Sequence, residues 1–226
     1  MADGDSDTIP TVSRDEIEAR AALVLGLRRR GISDRRVLSA IERVPRRLFL
    51  AAAHHKLAYE DSLLPIECGQ VVSAPSLVAA MVEALDVQPD STVLEVGTGS
   101  GYQTAVLTHL ARQVYSVDRY ASLVTLARQR LAALRIGNAE IQHADGLLGL
   151  KERAPFDRII VTGAVAEVPE ALRAQLAPGG RIVLPLGPAG APQALVRLLR
   201  DETGERRETL CEVRLVSLRS GIALHL

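Results

Sequence analysis

The stretch Val93-Leu94-Glu95-Val96-Gly97-Thr98-Gly99-Ser100-Gly101-Tyr102 constrains this chain more than any other. An apolar run carries a single carboxylate and then breaks into three alternating glycines. A buried parallel strand ends this way when its chain must turn tightly under a bound nucleoside. Without Cβ atoms, glycines let the backbone take positive φ and approach a ligand closely. The sequence then reads as a helix from Tyr102 to Arg112, whose first amides would face the crevice where α/β sheets bind ligands.

The spacing is G-x-G-x-G rather than the G-x-G-x-x-G of the dinucleotide fingerprint. A second apolar run, Val114 to Val117, ends in Asp118, an acid placed to take a ribose diol. A third, Ala139 to Gln142, leads to Asp145-Gly146, where an adenine amino group would lie. Together the three features favour S-adenosylmethionine over NAD. The bland alternative is a glycine turn with solvated acids at strand ends.

The rhythm from residue 92 onward is strand, helix, strand, helix, the signature of a doubly wound α/β fold. Strands are expected near 92–96, 113–118, 139–142, 157–162 and 181–186. Helices are expected near 102–112, 120–135 and 168–176. Residues 193–200 and 207–218 read as two further strands around the polar turn Asp201-Glu-Thr-Gly204, an antiparallel edge on a parallel sheet.

The N-terminal third lacks this rhythm. Residues 1–12 are expected to be disordered, and Ser13-x-x-Glu16 is a capping box. It opens a helix with Ile17, Ala21, Val24 and Leu25 as its apolar positions. Ser33 is expected to cap a second helix, with Val37, Leu38, Ile41 and Val44 inward and Pro45 as its stop. Residues 46–72 read as irregular. Pro75 opens a third helix with Leu77, Val78, Met81, Val82 and Leu85 inward. The expected organisation is one methyltransferase domain over 13–226, with a helical lid part (13–90) and a Rossmann-like core (91–226).

With 226 residues, of which 47% are apolar, the chain can bury one large core. The formal net charge is zero, so there is no basic excess for nucleic acid. Without Trp and with few Phe and Tyr, a base-stacking platform is also not expected. Cys68 and Cys211 stand apart and read as reduced. The five histidines show no metal-ligand spacing, and no metal is expected. The acidic start is unlike a signal peptide and no run reaches membrane length, so the expected setting is cytoplasmic, away from membranes. The mixed charge is consistent with a monomer.

Outside the glycine loop, further segments stand in order: Val44-Pro45-Arg46-Arg47-Leu48-Phe49, Ala58-Tyr59-Glu60-Asp61 with Leu64-Pro65-Ile66, and Gly69-Gln70-Val71-Val72-Ser73-Ala74-Pro75. Pro155-Phe156-Asp157-Arg158-Ile159-Ile160-Val161-Thr162 and Gln175-Leu176-x-x-Gly179-Gly180-Arg181 follow. In these segments, from about Ile32 to Val216, the chain resembles the protein-L-isoaspartate O-methyltransferase family, with its V-P-R-x-x-F, A-Y-x-D and G-Q-T-I-S-x-P motifs.

The resemblance implies methyl transfer from S-adenosylmethionine to the free carboxylate of isoaspartyl residues in damaged proteins, a repair reaction. It assigns Ser73 the catalytic position, as hydrogen-bond donor to the acceptor carboxylate. The competing reading of Ser73 is a helix cap. The cofactor is expected to be held by Gln70, Val71, Val72 and Ser73 at the methionine end and by Glu95, Gly97, Thr98, Gly99 and Ser100 in the loop. Asp118 and Arg119 are expected at the ribose, and Asp145 and Gly146 at the adenine. Asp61 either enters the substrate cleft or braces the lid. Pro45-Arg46-Arg47 could attract substrate carboxylates, although arginine after a helix end more often serves as surface charge.

The chain departs from the family where F/Y-V-P-L is usual and Leu215-Val216-Ser217-Leu218-Arg219 stands instead. That change motivates a second reading, a paralogous carboxyl methyltransferase with a different acceptor. Two further alternatives are a binding protein without turnover and a nicotinamide-dependent dehydrogenase. The loop spacing argues against the dehydrogenase.

Overall fold

The computed structural model describes residues 13–202 and 204–223. The segment expected to be disordered, 1–12, lies outside them.

Three helices open the chain: α1 (Arg14–Arg29), α2 (Arg35–Arg43) and, after a run of short 3-10 turns, α3 (Pro75–Leu85). Between α2 and α3, β1 (Leu64–Pro65) and β2 (Val71–Val72) form a two-residue antiparallel hairpin. Then come β3 (Thr92–Val96), α4 (Tyr102–Thr108), β4 (Gln113–Asp118), α5 (Ala121–Ala133), β5 (Ala139–His143), β6 (Phe156–Val161), α6 (Glu170–Ala174), β7 (Leu176–Leu186), β8 (Gln193–Asp201) and β9 (Gly204–Val213). The large sheet has the order β5-β4-β3-β6-β7-β8-β9. It is parallel from β5 to β7 and antiparallel from β7 to β9.

Alternate strand residues feed two apolar layers. Val93, Val114, Ile160 and Val183 join α1 to α5 on one face. Leu94, Val96, Val117, Ile159, Val161 and Ile182 pack on the other against Leu150, Leu172 and Leu176. Both faces are covered, which is why these strands are nearly continuous in Val, Ile and Leu. The chain enters at β3, winds out to β5, and returns to lay β6 against the other edge of β3. The carboxyl ends of β3 and β6 are therefore the topological switch point, where such sheets open a crevice.

Several sequence expectations are corrected. In α1, Ile17 and Leu25 face solvent at 57% and 53% exposure, and the inward residues are Glu16, Leu23 and Leu27. The Glu16 carboxylate turned the helix: it accepts from Tyr59 (2.6 Å) and Arg20 (2.5 Å) and pairs with Arg47 (3.1 Å). Burial raises its pKa, but these hydrogen bonds outweigh it and the carboxyl lies below its ordinary value. Ser13 does cap α1 through the Glu16 amide.

The cap of α2 is Asp34 rather than Ser33, whose amide and hydroxyl instead donate to Glu83. α6 is shorter than expected, because Gln175 already accepts from the Phe156 amide as the chain rises into β7. β9 stops at Val213 instead of running to 218. Beyond it the Leu215 amide bonds to the Gln193 side chain, and residues 216–218 pair with Ala164.

Candidate active site

The β3 strand runs into the glycine loop, which folds back over the end of β4. The amides of Gly97 and Thr98 both donate to the Val117 carbonyl (2.8 and 3.1 Å). Gly97 has φ +96°, and a Cβ there would stand 2.2 Å from Thr162 Oγ1. That hydroxyl, at the end of β6, donates to the carbonyls of Gly97 (2.7 Å) and Val96 (3.0 Å) and ties the loop to the switch point. Gly146 is equally constrained, since a Cβ would meet Val96 Cγ1 at 2.5 Å.

Around this loop opens a cleft of about 780 Å³. Its walls include Gln70, Val71, Val72 and Ser73 from the hairpin, and Gly97, Thr98, Gly99 and Ser100 from the loop. Asp118, Arg119 and Gly146 complete the set that the sequence placed there and the fold brings together. Asp118 is 7% exposed; its carboxylate accepts from the Gly99 amide (2.8 Å) and the Tyr120 amide (2.9 Å). Burial raises its pKa, and these backbone donors only partly offset that.

Three expected residues do not line the cleft. Glu95 lies fully buried beneath the loop, where it accepts from the hydroxyls of Ser116 (2.7 Å) and Thr104. Ser116 Oγ also lies 2.6 Å from Thr98 Oγ1, so Glu95 reaches the loop through that relay. Asp145 spends its carboxylate on the amides of Leu147 (3.0 Å) and Gly221 (2.6 Å), holding the C-terminal tail. Asp61 accepts from the Ser76 amide (2.9 Å) in the first turn of α3 and pairs with Arg30 (3.0 Å). It braces the helix as a cap supplied from another segment.

That contact also bears on the helix-cap reading of Ser73. The N-cap position of α3 is Ala74, with no cap bond from its own side chain, and the cap is Asp61. The Ser73 hydroxyl has no hydrogen-bond partner among the described residues. Its carbonyl is held at 3.1 Å by Arg46, whose side chain is 0% exposed and also donates to Ala58 O (2.8 Å) and Ser62 O (3.1 Å). Arg46 is thus neither surface charge nor a lure for substrate, and burial lowers its pKa.

Among the parts of the wall that the sequence missed are Leu63, Tyr102-Gln103, Thr162-Gly163, Gly190-Ala191 with Gln193, and the tail from Arg214 to Arg219. Thr162-Gly163 was findable, because it ends the strand beside β3 and must face the same crevice. The tail was not, since its 207–218 pattern reads as strand throughout.

The donor set fits a nucleoside bearing an amino-acid end. The glycine loop and the Asp118 carboxylate both lie on the wall of the cleft. Tyr102 Oη, Gln103 Nε2 and Arg119 Nε are buried polar atoms of its wall with no protein partner. Sheet order, glycine loop and strand-end acid together define the S-adenosylmethionine-dependent methyltransferase class.

Residues 18–223 match the family model described as protein-L-isoaspartate(D-aspartate) O-methyltransferase. A protein-L-isoaspartate O-methyltransferase from Xanthobacter autotrophicus is 52% identical over 211 residues, covering 93% of this chain and 96% of that one. One from Parvibaculum lavamentivorans is 51% identical, covering 93% and 96%. A solved protein-L-isoaspartate O-methyltransferase superposes with TM-score 0.82 at 29% identity, over 90% of this chain and 67% of that one. A Plasmodium falciparum structure of the same description, in complex with S-adenosyl-L-homocysteine, gives TM-score 0.76 at 26% identity, over 88% and 98%. The chain belongs to the protein-L-isoaspartate O-methyltransferase family.

Proposed function

We propose that this chain methylates the free carboxylate of isoaspartyl residues in damaged proteins, with S-adenosylmethionine as donor and Ser73 as the catalytic residue. The observation that carries the site assignment is the Ser73 hydroxyl, on the wall of the cleft that holds the glycine loop and Asp118 and without a protein partner. Family membership supports the acceptor.

The cofactor supplies a sulfonium methyl group. The acceptor carboxylate is ionised at neutral pH, so it needs no general base. One carboxylate oxygen forms the new O–CH3 bond as the C–S bond breaks, the electron pair stays on sulfur, and no proton moves. What the chain must do is align the two reactants and keep water out. In this reading the Ser73 hydroxyl donates to the carboxylate and fixes its angle of attack. Gln70, Val71 and Val72 flank the methionine end. Gly97, Thr98, Gly99 and Ser100 cradle the amino acid and ribose. Asp118 accepts from the ribose hydroxyls with Arg119 beside it, and Gly146 borders the adenine. Glu95 and Asp145 act from behind, the first under the loop and the second through the tail.

The proposal includes one methyltransferase unit over 13–226, supported by the core that α1 to α5 share with the sheet. Action as a monomer is part of the proposal, in keeping with the balanced charge of the chain. The two free cysteines suit a reducing compartment, and the cytoplasm is the proposed location. Among the described residues no helix is long and apolar enough to cross a membrane.

The test is transfer of labelled methyl to an isoaspartyl peptide beside its aspartyl twin. Selective, base-labile label is expected; equal labelling of both would reject the acceptor. The altered tail keeps the other-acceptor reading alive, and slow turnover on isoaspartyl peptides despite tight cofactor binding would favour it.

A further inference from the structure

The tail that leaves β9 at Val213 crosses the mouth of the cleft. It is pinned by Gln193 to the Leu215 amide (2.9 Å), by Ala164 to Val216 and Leu218 (2.8 Å each), by Asp145 to Gly221 (2.6 Å), and by Arg119 O to Ala223 (2.8 Å). This backbone is fixed at five points from Leu215 to Ala223, which brings the side chains of the tail from Arg214 onward to the rim. Two of them, Arg214 and Arg219, are exposed, line the cleft, and have no ion-pair or hydrogen-bond partner among the described residues.

The charge of the wall is lopsided. Its arginines are Arg119, Arg214 and Arg219, and its only carboxylate is Asp118, already engaged by two backbone amides. The whole chain has zero formal net charge, so this positive rim is local. The nearby Asp145 carboxylate is occupied by the Leu147 and Gly221 amides. Apolar side chains complete the rim: Leu63 (60% exposed) and Val71 on the hairpin side, Val216 (52%) between the two arginines.

We infer that Arg214 and Arg219 are specificity residues, which favour acceptor chains carrying further Asp or Glu side chains close to the reacting carboxylate. This rests on the isoaspartyl acceptor proposed above. The reacting carboxylate goes to Ser73 at depth, and the flanking residues of an extended peptide must pass over the rim. An acidic neighbour there gains a cation on the tail without displacing an existing partner, whereas a lysine neighbour meets like charge. Pairs exposed in this way contribute modestly each, and a one-signed rim also raises the rate of encounter at low salt.

The experiment compares three isoaspartyl peptides alike except for neighbours that are glutamate, glutamine or lysine, in wild type and in Arg214→Glu/Arg219→Glu. The wild type is expected to prefer the glutamate peptide over the lysine one in kcat/KM by about five- to tenfold at low ionic strength. That ratio should shrink toward one as salt rises and should invert in the double variant. Equal kcat/KM for glutamate and lysine peptides, with the glutamine peptide methylated well, would overturn this inference and leave the acceptor assignment standing. A wild-type preference that the double variant keeps unchanged would overturn the role of these two arginines. No methylation of any of the three would remove the acceptor assignment and this one with it.

Discussion

The buried guanidinium of Arg46 donates at 3.1 Å to the backbone carbonyl of Ser73, and with the same nitrogen to that of Ser62. A third carbonyl, Ala58, is held by its other nitrogen, and the guanidinium stands 5.6 Å over the ring of Tyr102, the residue that follows the glycine loop. One side chain thereby fixes the segment carrying the proposed catalytic hydroxyl against the start of α4. Removing it strands three carbonyls, each worth roughly 1–3 kcal/mol when left unsatisfied. Arg46→Met should therefore cost about 3 kcal/mol or more and lower the thermal midpoint by roughly 6–12 °C. In the fraction still folded at low temperature, kcat should fall more than cofactor affinity. A midpoint within a degree of wild type would show that the three carbonyls find other donors.

Ser73 itself is separable from stability, because Asp61 rather than Ser73 caps α3. Ser73→Ala should leave the thermal midpoint nearly unchanged and lower kcat by about 10- to 100-fold, the scale of one lost transition-state hydrogen bond, with little change in cofactor affinity. Steady-state kinetics alongside a thermal melt would decide it. A lowered midpoint with normal turnover would return the hydroxyl to a structural role.

The complement is Asp61. A carboxylate that accepts from the first turn of a helix contributes about 1 kcal/mol. Asp61→Ala should lower the midpoint by roughly 2–4 °C and leave the KM for an isoaspartyl peptide where it was. A raised peptide KM with an unchanged midpoint would put Asp61 back in the substrate cleft.

These two residues show what the sequence could and could not say. The strand ends were legible, since Gly97 and Asp118 each close a Val-rich run, Gly146 follows the third strand of the same rhythm, and parallel strands deliver their ends to one edge. What the pattern hid was the direction of polar side chains. Glu16 read as the acid of a capping box and is buried by a tyrosine and two arginines, which rotated α1 and exposed Ile17 and Leu25. Asp145 looked like a ligand contact and is a tether for Gly221, 76 residues away in the chain. Such long-range partners leave no periodic trace, whereas the apolar faces of α2 and α3 do.

At the ribose end, Asp118 bridges the Gly99 and Tyr120 amides and faces the cleft. Charge-assisted bonds of this kind contribute roughly 1.5–3 kcal/mol. Asp118→Ala should weaken S-adenosylhomocysteine binding by about 10- to 100-fold in calorimetry. Undiminished affinity would take Asp118 out of the ribose site.

Glu95 makes a prediction about pH rather than affinity. Full burial pushes its carboxyl up to about 7, and the hydroxyls of Thr104 and Ser116 only partly offset this. In the unfolded chain the same group titrates near its ordinary value of about 4.3. The folded state therefore holds this proton more tightly. Its contribution to stability is whole below the unfolded pKa and is lost as pH rises through the folded one. Glu95→Gln stays neutral throughout and can keep one oxygen as acceptor for both hydroxyls, which bond the same carboxylate oxygen. The wild type should accordingly lose stability relative to the variant between about pH 4 and pH 8, read as a difference in thermal midpoint that changes with pH while titrations common to both proteins cancel. A difference that stays constant over that range would mean that Glu95 titrates alike in the folded and unfolded chain, and burial would not be holding its proton.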